Sequence, residues 1–150
     1  MGLILSASSA EFVTTTSTKT LIRILSSSTV RCRLLQWSLF FDGVSNTDEP
    51  YDIQLLIQTT AGTNTAITSV PLDTTDTRTP TSAAAANFTS TEPTSGNVLY
   101  RCKVHPQVGM VWEPPVDGPV IIGVSVYLAL KVLTPLQSLN CVPTMIFEEI

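Results

Sequence analysis

The chain has one histidine and three cysteines, and a nucleophilic or metal site would depend on these side chains. His105 precedes Pro106, which holds it extended at the end of a strand. No serine lies in a Gly-x-Ser-x-Gly turn, which exposes the nucleophile of many hydrolases. His105 follows Cys102 closely, but Cys32 and Cys141 lack the nearby second ligand that structural zinc sites have. We therefore expect a protein that is not an enzyme, with no catalytic residue, no metal and no cofactor.

Acidic residues cluster in one loop, at Asp42, Asp48, Glu49 and Asp52. Carboxylate oxygens at this density are suitable ligands for Ca²⁺. Their spacing is not that of an EF-hand, so a solvated acidic loop is favoured. Whether loop 42–52 binds calcium stays open at this point.

The aromatic residues divide into two groups. Trp37 and Tyr51 lie in runs of alternating apolar residues, which predicts that both are in the core. Trp112 lies between Gly109 and Pro114, outside such a run, and is the best candidate for an exposed aromatic side chain. Exposed aromatics are favoured both at protein interfaces and in sugar-binding sites, so the sequence leaves open whether Trp112 is in the core or at an interface.

Charged residues make up only 13% of the 150-residue chain, where about 25% is usual. The chain has 8 Lys and Arg against 12 Asp and Glu, for a net charge of −4. This balance argues against nucleic acid as a partner, because binding to phosphates requires a basic surface. No apolar run reaches the roughly 20 residues of a membrane span, and the N-terminus does not match a signal peptide. Three widely spaced cysteines are typical of a protein made in a reducing cytoplasm.

Strand-like runs separated by turn residues, together with 22 threonines and 15 serines, predict an all-β protein. In residues 29–41 the apolar face changes near Leu34 and Leu35, which indicates a β-bulge or a strand buried on both sides. We expect a single jelly-roll or β-sandwich domain of about eight short antiparallel strands over residues 13–150. An N-terminal arm of residues 1–12 would precede it, and residues 73–94 would form a long loop in which four alanines at 83–86 favour one helical turn.

The low charge resembles that of the cores of protein interfaces and predicts a homo-oligomer or a component of a larger shell. We expect the arm and loop 73–94 to make contacts outside the domain. Deletion of residues 1–9 is then predicted to leave a folded domain with weaker binding. The predicted interface residues are Leu3, Ile4, Leu5, Phe12, Phe88, His105 and Trp112.

Four stretches are similar to recurring patterns in small head proteins of tailed bacteriophages. They are VRCRLLQWSLFFDG (30–43), IQLLIQTTAGT (53–63), EPTSGNVLY (92–100) and His105-Pro106-Gln107 followed by Gly109 and Trp112. Over roughly residues 10–149 the chain resembles capsid decoration, or cement, proteins with a single jelly roll. The resemblance implies a structural virion protein, made in the host cytoplasm, on the capsid exterior. It would be a homotrimer, without membrane or nucleic-acid partners, that clamps neighbouring major capsid protein subunits.

Two other functions fit the same predicted fold. A carbohydrate-binding or receptor-binding module would expose a cluster of aromatic side chains. Another minor capsid, tail or coat component is the second alternative, but residues 1–18 contain no Lys or Arg, and a coat that packages a genome usually has a basic arm. An enzyme is the least favoured function.

Overall fold

The structure is a computed structural model that describes residues 2–42 and 49–150. The described residues form antiparallel strands and no helix. Their bounds are β1 Leu3–Ser8, β2 Phe12–Val13, β3 Lys19–Leu25, β4 Cys32–Asp42, β5 Tyr51–Gln58, β6 Thr65–Ile67, β7 Ser69–Pro71, β8 Ala83–Ala86, β9 Ser95–Val104, β10 Met110–Trp112, β11 Val120–Ile122, β12 Tyr127–Leu133 and β13 Asn140–Glu149.

The strands form two sheets. Sheet A has the order β10-β4-β13-β1-β7, with β11 also paired to β4 and β2 to β13. Sheet B has the order β6-β8-β3-β12-β5-β9. The chain passes between the sheets at both edges, from β6 to β7 through Thr68 and from β9 to β10 through residues 105–109. The arrangement is a β-sandwich compatible with a jelly roll, so the predicted fold class is confirmed.

The core lies between the two sheets and follows the alternation of the strands. Trp37 and Phe147 fill it from sheet A, and Ile24 and Leu55 fill it from sheet B; all four side chains are buried. Tyr51 is also buried, as its place in an alternating run predicts. Because successive side chains of a strand point to opposite faces, the inward row of each strand leaves a second row facing outward.

The predicted change of face in β4 is a β-bulge. Phe147 of β13 pairs with Leu34, and the preceding Ile146 pairs with Gln36, so Leu35 has no partner in β13. The extra residue shifts the alternation by one position. As a result Leu34 and Trp37 both point into the core, although they are three residues apart.

The predicted N-terminal arm of residues 1–12 is instead part of sheet A. Strand β1 pairs with β13 over its whole length and with β7 on its other side. Leu3, Leu5 and Ala7 are buried, whereas Ile4 and Ser6 face outward. This period-two pattern is that of a half-buried strand, and the sandwich therefore begins at β1 rather than at residue 13.

The predicted helical turn at 83–86 is also wrong, because these alanines form β8. This strand lies between β6 and β3 in sheet B, with Ala85 opposite Arg23. Tertiary pairing outweighs the helix propensity of alanine here. The small side chains of β8 leave room beside the long side chain of Arg23.

Candidate functional site

Four of the seven predicted interface residues are held inside the molecule. Leu3 and Leu5 point into the core from β1, and Phe12 is buried at β2. Phe88 is buried on the other side of the sandwich, against Arg23 of sheet B. Ile4, His105 and Trp112 retain exposed surface but do not lie together.

Trp112 joins the two sheets at one edge of the sandwich. Its ring lies 6.1 Å from that of Trp37, its pairing partner in β4, and 4.7 Å from that of Tyr100 in β9 of sheet B. The residue is partly buried and packs against the core. The ring contacts explain its position as packing between the sheets.

His105 organises the turn between β9 and β10. Its carbonyl oxygen accepts hydrogen bonds from the amides of Val108 and Gly109, at 3.1 and 3.0 Å. Its Nδ1 atom accepts a hydrogen bond from the amide of Gln107 at 3.2 Å. These bonds give the ring a local role in the turn.

The cysteines are free thiols, with Cys32 and Cys141 buried and Cys102 partly buried. Burial raises the pKa of the Cys141 thiol to about 12, and it raises the pKa of Cys32 and Cys102 as well. Within residues 2–42 and 49–150, no three His, Cys, Asp or Glu side chains group as metal ligands would. Asp48 of the predicted acidic loop lies outside the described residues, and Asp52 pairs with Lys103 at 2.7 Å.

The outer face of sheet A carries the largest set of outward apolar side chains. Phe40, Val70 and Val111 are 46%, 56% and 52% exposed. The pairing places them in rows with outward residues of neighbouring strands, because Phe40 lies opposite Val142 and Val70 lies opposite Ser6. We name this surface the apolar face and define it by Ile4, Phe40, Val70, Val111, Ile121, Val142 and Ile146.

Polar side chains share the outer face of sheet A with these apolar residues; they are Ser6, Ser8, Arg33, Gln36, Ser38, Thr144 and Glu148. Arg33 and Glu148 form an ion pair at one end, in the same row as Ile121 and Ile4. In the middle, the hydroxyl groups of Ser8 and Thr144 are 2.9 Å apart. Asp42 and Glu113 lie at the periphery. Among the described residues, the charged side chains of this face therefore lie at its ends and not at its centre.

The outer face of sheet B is covered by the chain itself. Arg23 lies between the rings of Phe88 and Tyr127, at 4.8 and 4.2 Å from their centroids. Its guanidinium donates a hydrogen bond to the carbonyl oxygen of Ala61 at 2.5 Å, and burial lowers the pKa of this guanidinium. Segments 59–63 and 87–94 are joined across this face by backbone hydrogen bonds, such as that from Thr63 to Thr91 at 2.8 Å. Among the described residues, by contrast, Phe40, Val70, Val111 and Ile121 of the apolar face remain 46–56% exposed.

Sequence reasoning missed the apolar face, although a signal for it was present. Phe40, Val142 and Ile146 are apolar residues at outward positions of strands whose inward positions are also apolar, and they share the outward positions with polar residues. A strand that is apolar in both phases is either covered on both sides or exposes one apolar face. Residues of one strand do not reveal which of these applies, because this depends on what packs against it.

Comparison with protein-family models, with curated proteins and with solved structures found no match for this chain. Among the described residues, no helix is long and apolar enough to cross a membrane.

Proposed function

We propose that the protein is a structural component that docks onto a protein shell through the apolar face of sheet A. The observation that carries this proposal is the set of apolar side chains, Phe40, Val70, Val111 and Ile121, that are 46–56% exposed on the outer face of sheet A. Among the described residues, the centre of this face carries no charged side chain. Large exposed apolar patches mark interaction sites, since they cost free energy while they face water. A protein partner fits best because the cores of protein interfaces are depleted of charge in the same way.

The shell we propose is the head of a tailed bacteriophage, and the partner is its major capsid protein. This part of the proposal rests on the resemblance of residues 30–43, 53–63 and 92–100 to small phage head proteins. The sandwich fold is compatible with that resemblance. In this role the protein binds the capsid exterior and clamps adjacent subunits.

A homotrimer is part of the same proposal. Joining three copies raises the effective concentration of the second and third contacts once the first has formed. Each protomer can then contribute a modest interface while the trimer dissociates slowly. Because the centre of the apolar face carries no charge, we expect binding to depend only weakly on ionic strength.

Co-sedimentation with empty heads of the phage that encodes the chain tests this proposal. Val111→Asp and Val70→Asp each introduce a carboxylate into the apolar face, at side chains already more than half exposed. Burying an unpaired charge is costly, so we expect at least tenfold weaker binding, which corresponds to about 1.4 kcal/mol.

Leu99→Asp is the matched control, because Leu99 is exposed to a similar degree, 46%, but lies on β9 of sheet B. We expect this variant to bind like the wild type. If the wild type does not sediment with the heads, the capsid role is wrong. If Leu99→Asp weakens binding as much as the two apolar-face variants do, the apolar face is not the docking surface.

A further inference from the structure

A cleft of about 450 Å³ lies at one end of the sandwich, away from the apolar face. One wall is the segment between β2 and β3, and the other is the segment that follows β8. Five of its eight lining residues carry a hydroxyl group, and the lining also contains one cation and one carboxylate. The lining residues are Thr15, Ser17, Thr18, Lys19, Phe88, Thr89, Ser90 and Glu92.

Lys19 ties the two walls together. Its ammonium donates hydrogen bonds to the carbonyl oxygen of Val13 at 2.7 Å and to Oδ1 of Asn87 at 2.8 Å, one on each wall. The side chain is almost fully buried and its Nζ lies 4.9 Å from the centroid of the Phe12 ring. An ammonium has three N–H donors, so one remains for a further acceptor.

Glu92 is fixed on the opposite wall. The amide of Thr20 donates to its two carboxylate oxygens at 2.8 and 3.0 Å, and the Thr20 hydroxyl donates to Oε2 at 2.7 Å. These bonds hold the carboxylate in one orientation. A carboxylate has about four acceptor positions, so Glu92 can still accept a hydrogen bond from a ligand.

Backbone strain is concentrated at the same cleft. Among the described residues, three non-glycine residues have positive φ, and two of them, Thr15 at 63° and Asn87 at 53°, belong to its two walls. Asparagine tolerates this conformation, but for a β-branched residue such as Thr15 it is unfavourable. Strained backbone persists where the surrounding structure enforces it, and such positions cluster at ligand sites.

We infer that this cleft binds a neutral, polyhydroxylated ligand, namely a mono- or disaccharide. A sugar hydroxyl can accept from the Lys19 ammonium and donate to the Glu92 carboxylate. Because the lining holds one charge of each sign, it has no net charge that would favour an anion or a cation. The hydroxyl groups of Ser17, Thr89 and Ser90 have no hydrogen-bond partner in the described part of the chain. They are available to donors and acceptors alike.

The test is a two-dimensional ¹H–¹⁵N NMR titration of the full-length protein. The probes are glucose, galactose, N-acetylglucosamine, maltose and lactose, with glucuronate and glucosamine as charged counterparts. We expect at least one neutral sugar to shift the amide signals of Ser17, Thr89 and Ser90 at millimolar concentration, and the charged counterparts to bind several-fold more weakly. Glu92→Gln keeps the shape but removes the charge, and should weaken binding about tenfold.

Ser90→Ala is a second test variant, needed because Glu92→Gln also changes the hydrogen bonds between Glu92 and Thr20. Ser90 is exposed, so this variant should fold normally and still bind the sugar several-fold more weakly. Ser28→Ala removes an exposed hydroxyl outside the cleft and should bind like the wild type. The inference is overturned if no neutral sugar shifts the cleft amides, if a charged counterpart binds equally well, or if Ser28→Ala and Ser90→Ala behave alike.

Discussion

Replacing Leu5 by alanine measures how much the sandwich depends on its first strand. Leu5 is fully buried, and it lies between Phe147 of β13 and Pro71 of β7 in the register of sheet A. Leucine-to-alanine changes in protein cores cost about 2.7–5 kcal/mol, because they remove apolar contacts and leave a cavity. We expect a loss of about 3 kcal/mol or more in the free energy of unfolding. For a chain of this size that lowers Tm by roughly 6–12 °C.

Ile4→Ala is the matched control for this measurement. Ile4 is the neighbouring residue, but it faces outward on the apolar face and is only partly buried. We expect Ile4→Ala to lower the free energy of unfolding by less than about 1 kcal/mol, because folding buries much less apolar surface at Ile4 than at Leu5. Urea unfolding followed by tryptophan fluorescence gives both values, because Trp37 lies in the same core.

Deletion of residues 2–9 tests the contribution of the whole of β1 to stability. It removes Leu3, Leu5 and Ala7 from the core and the partner of β13 along one side. Because domains are stable by only about 5–15 kcal/mol, we expect the truncated chain to lose cooperative unfolding. Equal losses for Leu5→Ala and Ile4→Ala, or a truncated chain as stable as the full one, would refute the position of β1 inside sheet A.

The remaining predictions concern a buried thiol, a turn and a buried cation. Below about pH 9 the Cys141 thiol is protonated in both the folded and the unfolded protein. Between about pH 9 and pH 12 the thiol ionises in the unfolded protein but stays protonated in the folded protein, where its pKa is about 12. The free energy of unfolding of the wild type, relative to that of Cys141→Ala, should therefore fall by about 1.4 kcal/mol per pH unit between about pH 9 and pH 12. Urea unfolding of both proteins across this pH range measures the difference. Gly109→Ala should lower the free energy of unfolding by about 1–3 kcal/mol, because φ of Gly109 is +71° and an added Cβ would lie 2.4 Å from the Phe40 ring. Gly118→Ala is the control: its Cβ would lie 3.9 Å from the nearest atom, so urea unfolding should show no change in stability. Arg23→Met should lower Tm in calorimetry, because the carbonyl oxygen of Ala61 loses a donor and both ring contacts of the guanidinium disappear.

The sequence predicted the local features of the fold because these depend on the pattern within one strand. The alternation of residues 51–58 identified β5, and the change of phase near Leu35 identified the bulge of β4. The prediction failed where the deciding information lies in another part of the chain. Four alanines favour a helix in isolation, but β8 is a strand because β3 and β6 supply hydrogen-bonding partners on both sides.

The candidate sites were harder to predict for the same reason. Phe88 looks like a contact residue in a polar segment, yet it is buried because Arg23, far away in sequence, lies against its ring. The cleft around Lys19 unites two segments about 70 residues apart, and no spacing within either segment indicates it. Sequence periodicity reveals that a residue faces one side of a strand, but it does not reveal what covers that side.

The edges of the two sheets make docking through a face better supported than docking by strand addition. An exposed edge can pair with a strand of another protein, and natural proteins limit this with short edge strands, proline, bulges and charge. In sheet A the edge strands β7 and β10 have three residues each, and β7 ends in Pro71. In sheet B the long edge strand β9 carries Arg101 and Lys103 and pairs irregularly with β5. These features oppose pairing at the edges. On the apolar face, by contrast, Phe40, Val70, Val111 and Ile121 are 46–56% exposed among the described residues, so a partner that removes them from water gains free energy there.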